Sequence, residues 1–361
     1  MKIAISAAET SGDLIAAPVV AALKAQQPDT QIQGLTGDKM QAQGAHRLWP
    51  LERVNVMGFT EVLKKLPDIL TLRRQMFDYF AKQRPDVFVG VDAPDFNLKL
   101  ERQLKTEGIK TIHLVSPSVW AWRQKRVEKI KQSCDLVLCL FPFEVAFYEQ
   151  HGQAARFIGH PLAQQLKPRG KHQVSNKVVL MPGSRSAEIK QLLPEMLGAT
   201  QCISKQYPQL QYQLVLANQQ QLEEVQPMLT ESNIQVSVGD AHAQIKQADL
   251  VLVASGTASL EVALIGVPMV VIYRLSSLSY QIASRLLKTP YVSLPNILAG
   301  KALVPELIQD QARDDQIAEQ ALALLGQDHT QLTQAFAQIH ESLCQDSAEQ
   351  AAQAILEVAG G

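Results

Sequence analysis

Short apolar runs alternate with helical patterns along this chain of 361 residues, and that alternation constrains the fold more than any single motif. Runs at Ile3 to Ala7, Gln31 to Leu35, Val87 to Val91, Thr111 to Val115 and Leu136 to Leu140 have strand length, with apolar residues at helical spacing between them. Apolar strands joined by helices form parallel sheets covered on both faces. A second series follows at Val178 to Met181, Gln211 to Ala217, Ile234 to Val238, Leu250 to Ala254 and Met269 to Tyr273, with helices dominating from about Leu278 onward. The expectation is an α/β protein of two facing Rossmann-like domains with parallel sheets and a cleft between them, where the carboxyl ends of both sheets meet. Expected bounds are 1–165 for the first domain and 177–340 for the second, with polar Gln164 to Asn176 between them. Residues 341–361 are expected to form a C-terminal helix whose apolar stripe packs back across the first domain.

Two strand-to-helix junctions in the second series read as anion cradles. In the first, the strand before Pro182 breaks into Gly183, Ser184 and Arg185; in the second, Ala254 runs into Ser255, Gly256, Thr257 and, one turn on, Glu261. Small residues there let backbone N–H groups face a ligand at a helix N-terminus, and an arginine fork suits phosphate. With Glu261 available to sugar hydroxyls, a nucleotide carrying ribose and diphosphate is the expected ligand, and a nucleotide-sugar fits. Asn296, after Pro295 in a loop, reads either as a turn cap or as a donor contact, the latter slightly favoured.

The first domain supplies a different set of groups. Its first strand-to-helix turn, Glu9-Thr10-Ser11-Gly12-Asp13, lacks the G-x-G-x-x-G of a dinucleotide site, so NAD and FAD are disfavoured. Ser11 and Gly12 admit a substrate close to the backbone, while Ser11 or Asp13 equally suits a helix cap. Asp92, leaving the strand Val87 to Val91, is the candidate general base; Asp95 reads more readily as a cap. The segment Ser116 to Arg126 combines Ser116, Trp122, Arg123 and Arg126 and reads as phosphate-recognising or as a solvated basic face. From Phe59 to Phe80, apolar residues including Val62, Leu63, Leu66, Ile69 and Leu70 mark one face of a helix interrupted at Pro67, flanked by Lys64, Lys65, Arg73 and Arg74. That face either packs on a core or meets lipid. His113 and His160 lie near sheet ends, where a structural imidazole is the default and His160 the better functional candidate.

Composition excludes several classes. A formal net charge of −1 offers no general attraction to nucleic acid, and 46% apolar with 19% charged residues rules out a disordered chain. Cys134, Cys139, Cys202 and Cys344 lack metal-ligand spacing and read as reduced thiols; no metal and no cofactor is expected. The chain opens directly on a strand without a signal-like region, and its longest apolar run falls short of the roughly 20 residues of a spanning helix. A cytoplasmic location is expected.

Taken in order, Glu9 to Asp13, Asn55-Val56-Met57-Gly58, Asp92 to Asn97, Ser116 to Trp122, Pro182 to Arg185, Ser255 to Ala258 and Ser293 to Asn296 resemble the lipid-A-disaccharide synthases. The resemblance runs from about residue 3 to the last helix, with Ala8 standing where that family usually has glycine. It implies a GT-B glycosyltransferase of Gram-negative lipid A synthesis. The donor would be UDP-2,3-diacylglucosamine and the acceptor 2,3-diacylglucosamine 1-phosphate, with lipid A disaccharide 1-phosphate and UDP as products. It further implies Asp92 as base in an inverting transfer without a metal, acceptor contacts from Ser11, Gly12, Met57, Ser116, Trp122, Arg123 and Arg126, and peripheral association with the cytoplasmic face of the inner membrane. A homodimer is compatible with it. Two alternatives stand beside this reading: a UDP-N-acetylglucosamine 2-epimerase-like enzyme, and a non-catalytic two-lobed binding protein.

Overall fold

The computed structural model describes residues 1–54, 59–122, 124–170, 173–229, 233–275 and 289–360, with the side chains of 59–64 and 122 outside that description. The chain divides into one compact unit of residues 1–161 and 343–361 and another of residues 162–342.

In the first unit, strands β1 (Lys2–Ala7), β2 (Gln31–Thr36), β3 (His46–Pro50), β4 (Val87–Val91), β5 (Lys110–Leu114), β6 (Leu136–Cys139) and β7 (Ala155–Phe157) form a parallel sheet ordered β3-β2-β1-β4-β5-β6-β7. Successive side chains on a strand point to opposite faces, and both faces are covered. Ile3, Ile5, Val87 and Val89 pack under the helices Thr10–Gln26 and Ser347–Gly360, the latter contributing Ala351, Ala352 and Ile355. On the other face, Ala4 and Phe88 meet Leu72, Met76 and Phe80 of the helix Phe59–Gln83 and Leu100 and Leu104 of the helix Pro94–Thr106.

The second unit repeats the plan with β8 (Lys177–Met181), β9 (Gln211–Leu216), β10 (Ile234–Val238), β11 (Leu250–Ala254), β12 (Met269–Tyr273) and β13 (Glu306–Ile308), parallel and ordered β10-β9-β8-β11-β12-β13. Its core joins Val178, Leu180 and Leu252 to Leu192, Leu193 and Met196 of the helix Ser186–Ser204 and to Ile317 and Ala321 of the helix Asp314–Leu325.

Several sequence expectations are revised. The unit boundary lies at 161/162 and not between 165 and 177, because the polar segment is bound to the second unit: Arg169 N–H donates to the carbonyl of Ile265 at 2.8 Å and Ser175 N–H to the Asp249 carboxylate at 3.0 Å. Strand β5 ends at Leu114, since Val115 takes φ 77°, a left-handed conformation no strand continues through. Short edge strands β3, β7 and β13 were not anticipated; their weak apolar patterns fit partly exposed positions. The helix Phe59–Gln83 is continuous through Pro67. Its 25 residues span about 37 Å, and Ile69 in its first half still packs on the core. Leu66 and Leu70 on that half are exposed, whereas Leu72, Met76 and Phe80 are fully buried.

Candidate functional site

Each sheet reverses strand order at one point, between β1 and β4 in the first and between β8 and β11 in the second. Ligands of open parallel sheets bind outside the carboxyl ends of strands at such points. The turns that follow these four strands are those singled out by sequence.

At the first reversal, Asp92 leaves β4 half-buried, with its N–H bonded to the carbonyl of Leu114 at 2.9 Å. Asp92 and Ala93 both adopt positive φ, 50° and 42°, which costs an L-residue of order 1–3 kcal/mol each unless the surroundings enforce it. The enforcing group is Asn97, fully buried, whose amide donates to the carbonyls of Ser6 (3.2 Å), Val91 (3.1 Å) and Asp92 (2.9 Å) while its oxygen accepts from the Ser6 hydroxyl (2.8 Å). Across from Asp92, Glu9 precedes the helix Thr10–Gln26. Partial shielding from water lifts its carboxyl above the usual range, the nearby Asp92 charge lifts it further, and the Ser11 hydroxyl opposes both. Two carboxylates therefore share this end of the sheet. Gly12 is buried there, and a Cβ on it would meet Ala7 Cβ and Val91 O at 3.3 Å. Ser11 is exposed. Asp13 instead clamps the following turn, accepting from the N–H groups of Gly37, Lys39 and Met40 at 2.9, 3.0 and 3.2 Å.

Beyond β5, Ser116 is buried and bonds the Tyr148 hydroxyl at 3.1 Å. Trp120 Nε1 donates to Glu144 at 3.2 Å, and burial pushes Glu144 up to about 7 against the bonds that favour its charged form. Arg126 pairs with Asp95 at 2.9 Å. Met57 and Arg123 lie outside the described residues, as do the side chains of Trp122, Phe59, Val62 and Leu63. Ile69 packs against the core and does not extend the exposed face of Leu66 and Leu70. His113 is fully buried, its Nδ1 2.7 Å from Glu101 Oε1, and burial holds His160 down at about 4, uncharged at neutral pH.

At the second reversal, a cavity of about 450 Å³ is lined by Gly183, Ser184, Arg185, Ser255, Gly256, Thr257 and Glu261. Gly183 (φ 116°) and Gly256 (φ 147°) take conformations that favour glycine, turning the backbone into the helices Ser186–Ser204 and Thr257–Ile265. The Arg185 guanidinium is largely exposed, 82% for the side chain. Glu188, which sequence reasoning missed, also lines the cavity, and its carboxylate accepts from the N–H groups of Ser184 and Arg185, each at 3.4 Å. These amides are thus engaged by an internal anion at the limit of bonding distance. Glu261 pairs with His242 at 2.9 Å.

Asn296 is an internal tie in this structure. Its amide donates to Val304 O (2.9 Å) and Glu306 Oε1 (2.8 Å), and its oxygen accepts from the N–H groups of Leu303 (2.8 Å) and Val304 (3.0 Å), which uses its whole bonding capacity. Through Glu306, which accepts from Val292 N–H and Ser293 N–H at 3.0 and 2.9 Å, it fixes the loop whose Val292 carbonyl receives the Ser255 hydroxyl at 2.9 Å.

Among the described residues, no group of three His, Cys, Asp or Glu side chains has metal-holding geometry, and no helix is long and apolar enough to cross a membrane.

Comparison with known proteins gives these groups their context. Among solved structures, the UDP-GlcNAc 2-epimerase of Methanocaldococcus jannaschii, in complex with UDP-GlcNAc and UDP, superposes with a TM-score of 0.61 at 11% identity over 100% of both chains. A calicheamicin glycosyltransferase reaches 0.59 at 13% identity over 99% of this chain and 97% of its own. Both support the GT-B architecture, and their near-equal scores leave activity undecided. Sequence decides it. The protein of Pseudomonas putida (strain GB-1) called lipid-A-disaccharide synthase is 44% identical over 98% of this chain and 97% of its own length, and the profile of the lipid-A-disaccharide synthetases matches residues 3–357. These matches displace the epimerase and binding-protein alternatives: the chain belongs to the lipid-A-disaccharide synthase family, glycosyltransferases that form the disaccharide of lipid A.

Proposed function

We propose that the enzyme transfers 2,3-diacylglucosamine from UDP-2,3-diacylglucosamine to the 6-hydroxyl of 2,3-diacylglucosamine 1-phosphate in one inverting displacement. The observation that carries this reading is the pair of chemistries at the two strand-order reversals: a carboxylate on a constrained turn at one, and a cavity of about 450 Å³ rimmed by arginine and helix N-termini at the other. Asp92 takes the proton of the acceptor hydroxyl as its oxygen attacks the anomeric carbon. The bond from that carbon to the UDP oxygen breaks with inversion, giving a β-1',6-linked disaccharide 1-phosphate. Arg185 and the N–H groups opening the helices Ser186–Ser204 and Thr257–Ile265 stabilise the charge left on UDP. Glu261 binds the ribose, and Ser11, Gly12, Ser116 and Arg126 contact the acceptor. The exposed Leu66 and Leu70, on the helix Phe59–Gln83, meet the cytoplasmic leaflet from which acylated substrates are drawn.

The test is product formation by mass spectrometry with wild type, Asp92→Asn and Arg185→Ala, alongside UDP binding by calorimetry. Asp92→Asn is expected to lower kcat by about 10²–10⁴ with UDP affinity retained, as for loss of a general base, and Arg185→Ala to weaken both. Full activity in Asp92→Asn would reject the base assignment.

A further inference from the structure

A second cavity, of about 200 Å³, lies in the first unit between the helices Pro94–Thr106 and Val127–Ser133, outside the groups used above apart from Arg126. Its walls are apolar, from Leu98, Val119 and Ile130, and its rim carries Lys99, Arg102, Arg126 and Lys129. Arg126 is matched by Asp95 at 2.9 Å. Lys99, Arg102 and Lys129 are exposed and have no ion pair among the described residues. On a chain of net charge −1, three uncompensated cations converging from two helices on one depression form a local field and not a general property of the surface.

Direction identifies the occupant. Phe96, Leu100 and Leu104 point from the helix Pro94–Thr106 into the core and Leu98 packs toward Val119 and Ile130, so Lys99 and Arg102 face outward from the helix layer, with Arg102 two turns down from the strand end that carries Asp92. The helix Phe59–Gln83, bearing exposed Leu66 and Leu70, packs beside Pro94–Thr106 in that same layer. We propose that this cavity receives the phosphate headgroup of a bilayer phospholipid, the apolar walls taking the glycerol stem and Lys99, Arg102 and Lys129 the charge. This rests on the reading that the unit meets a lipid surface through Leu66 and Leu70, and it adds a defined headgroup site to that contact.

Cosedimentation of the full chain with vesicles tests it, comparing phosphatidylcholine alone with phosphatidylcholine plus phosphatidylglycerol. Removing one cation near an anionic surface weakens partition roughly fivefold at low ionic strength, so Lys99→Gln/Arg102→Gln/Lys129→Gln is expected to lose about 100-fold of the binding gained from phosphatidylglycerol. Asp95→Asn, which removes the competing carboxylate, is expected to raise that gain severalfold. Both variants should keep wild-type partition onto phosphatidylcholine, whereas Leu66→Ser/Leu70→Ser should lower it; an unchanged Leu66→Ser/Leu70→Ser protein would sink the lipid-surface reading itself. Soluble glycerol 3-phosphate is expected to displace wild type from mixed vesicles more strongly than sodium chloride of equal ionic strength. A triple variant that retains the phosphatidylglycerol gain, or displacement that follows ionic strength alone, overturns the site. If the gain is retained while the KM for phosphorylated acceptor in detergent rises, the bilayer assignment falls and the cavity belongs to the acceptor's own phosphate.

Discussion

The side-chain amide of Asn97 donates to the backbone carbonyl of Asp92 at 2.9 Å, and it binds the carbonyls of Ser6 and Val91 as well. One buried side chain thus ties β1 to β4 at the strand-order reversal and holds the proposed base in a backbone conformation it would not adopt unaided. Asn97→Ala leaves buried carbonyls and the Ser6 hydroxyl without partners, which costs about 3 kcal/mol. Expected outcomes are that loss in urea unfolding and a kcat at least tenfold down, with UDP affinity of the second unit unchanged. Wild-type kcat in Asn97→Ala would show that the constrained turn does not serve Asp92.

Glu144 and His160 are both buried, and their effects on pH-dependent stability oppose each other. Glu144 rises from 4.5 to about 7, so the folded state holds a proton that the unfolded state has lost, and stability falls as pH climbs through that window. His160 drops from 6.5 to about 4, so its contribution is present above the unfolded value and disappears as pH falls toward 4. Each amounts to about 3 kcal/mol, and across the shared window they nearly cancel. Glu144→Gln is expected to unmask the imidazole: its stability should increase between about pH 5 and pH 6 by roughly 1.4 kcal/mol per unit relative to wild type. Urea melts at a series of pH values read this directly, and parallel profiles for the two proteins contradict it.

Glu188 faces the same backbone N–H groups that a diphosphate needs, and its charge repels that ligand while its bonds cap the helix Ser186–Ser204. Glu188→Gln therefore separates binding from stability. UDP should bind about fivefold more tightly, since a partly exposed charge contact is worth about 1 kcal/mol, and the protein should lose about 0.5–1 kcal/mol of stability with its capping box weakened. Calorimetric titration with UDP and thermal unfolding of the same sample check both signs.

What was legible in the sequence was whatever a single strand or turn announces locally. Val87 to Val91 declares itself as a two-sided buried strand, and position alone then delivers Asp92 to the carboxyl end of the sheet. Gly183 and Gly256 mark their turns because few other residues tolerate those φ values. What remained hidden depends on distant partners: Asn97 meets Ser6 across 91 positions, and Glu306 reads as an ordinary edge residue until the loop at Val292 folds onto it. Ile69 and Leu70 are adjacent apolar residues, yet Ile69 falls on the helix face of Leu72, Met76 and Phe80 and packs on the core, while Leu70, a further 100° around the helix, reaches solvent.

Asn296 and Glu306 act as one unit in holding the loop at Val292 and Ser293, so their removal should not be additive. Asn296→Ala and Glu306→Gln each disconnect buried polar groups and are expected to cost about 2–3 kcal/mol. The double variant should cost clearly less than the sum, with an interaction energy of about 1–2 kcal/mol in a double-mutant cycle. Because the same loop holds Ser255 in the cavity wall, UDP affinity should fall in each single variant. Full additivity, with UDP affinity intact, would separate the network from the donor site.

Gly90, next to last in β4, is required by its neighbours and not by its own backbone angles. A Cβ there would lie 1.9 Å from Glu101 Oε1 and 2.9 Å from Asn97 Cβ. Glu101 cannot withdraw to water: it is fully buried, and its only ion-pair partner among the described residues is His113 at 2.7 Å, equally buried. Burial raises the Glu101 carboxyl and the imidazole opposes that rise, so separating the two leaves a group that burial penalises without compensation. Gly90→Ala is expected to cost about 3–5 kcal/mol, the range for breaking a buried pair, and to displace Asn97, lowering kcat with stability. Glu101→Ala removes the close contact, so adding Gly90→Ala to Glu101→Ala should cost clearly less than Gly90→Ala costs in wild type. If Gly90→Ala costs as much in a Glu101→Ala background as it does in wild type, the strand bends away from the helix and the clash with Glu101 does not set the requirement for glycine.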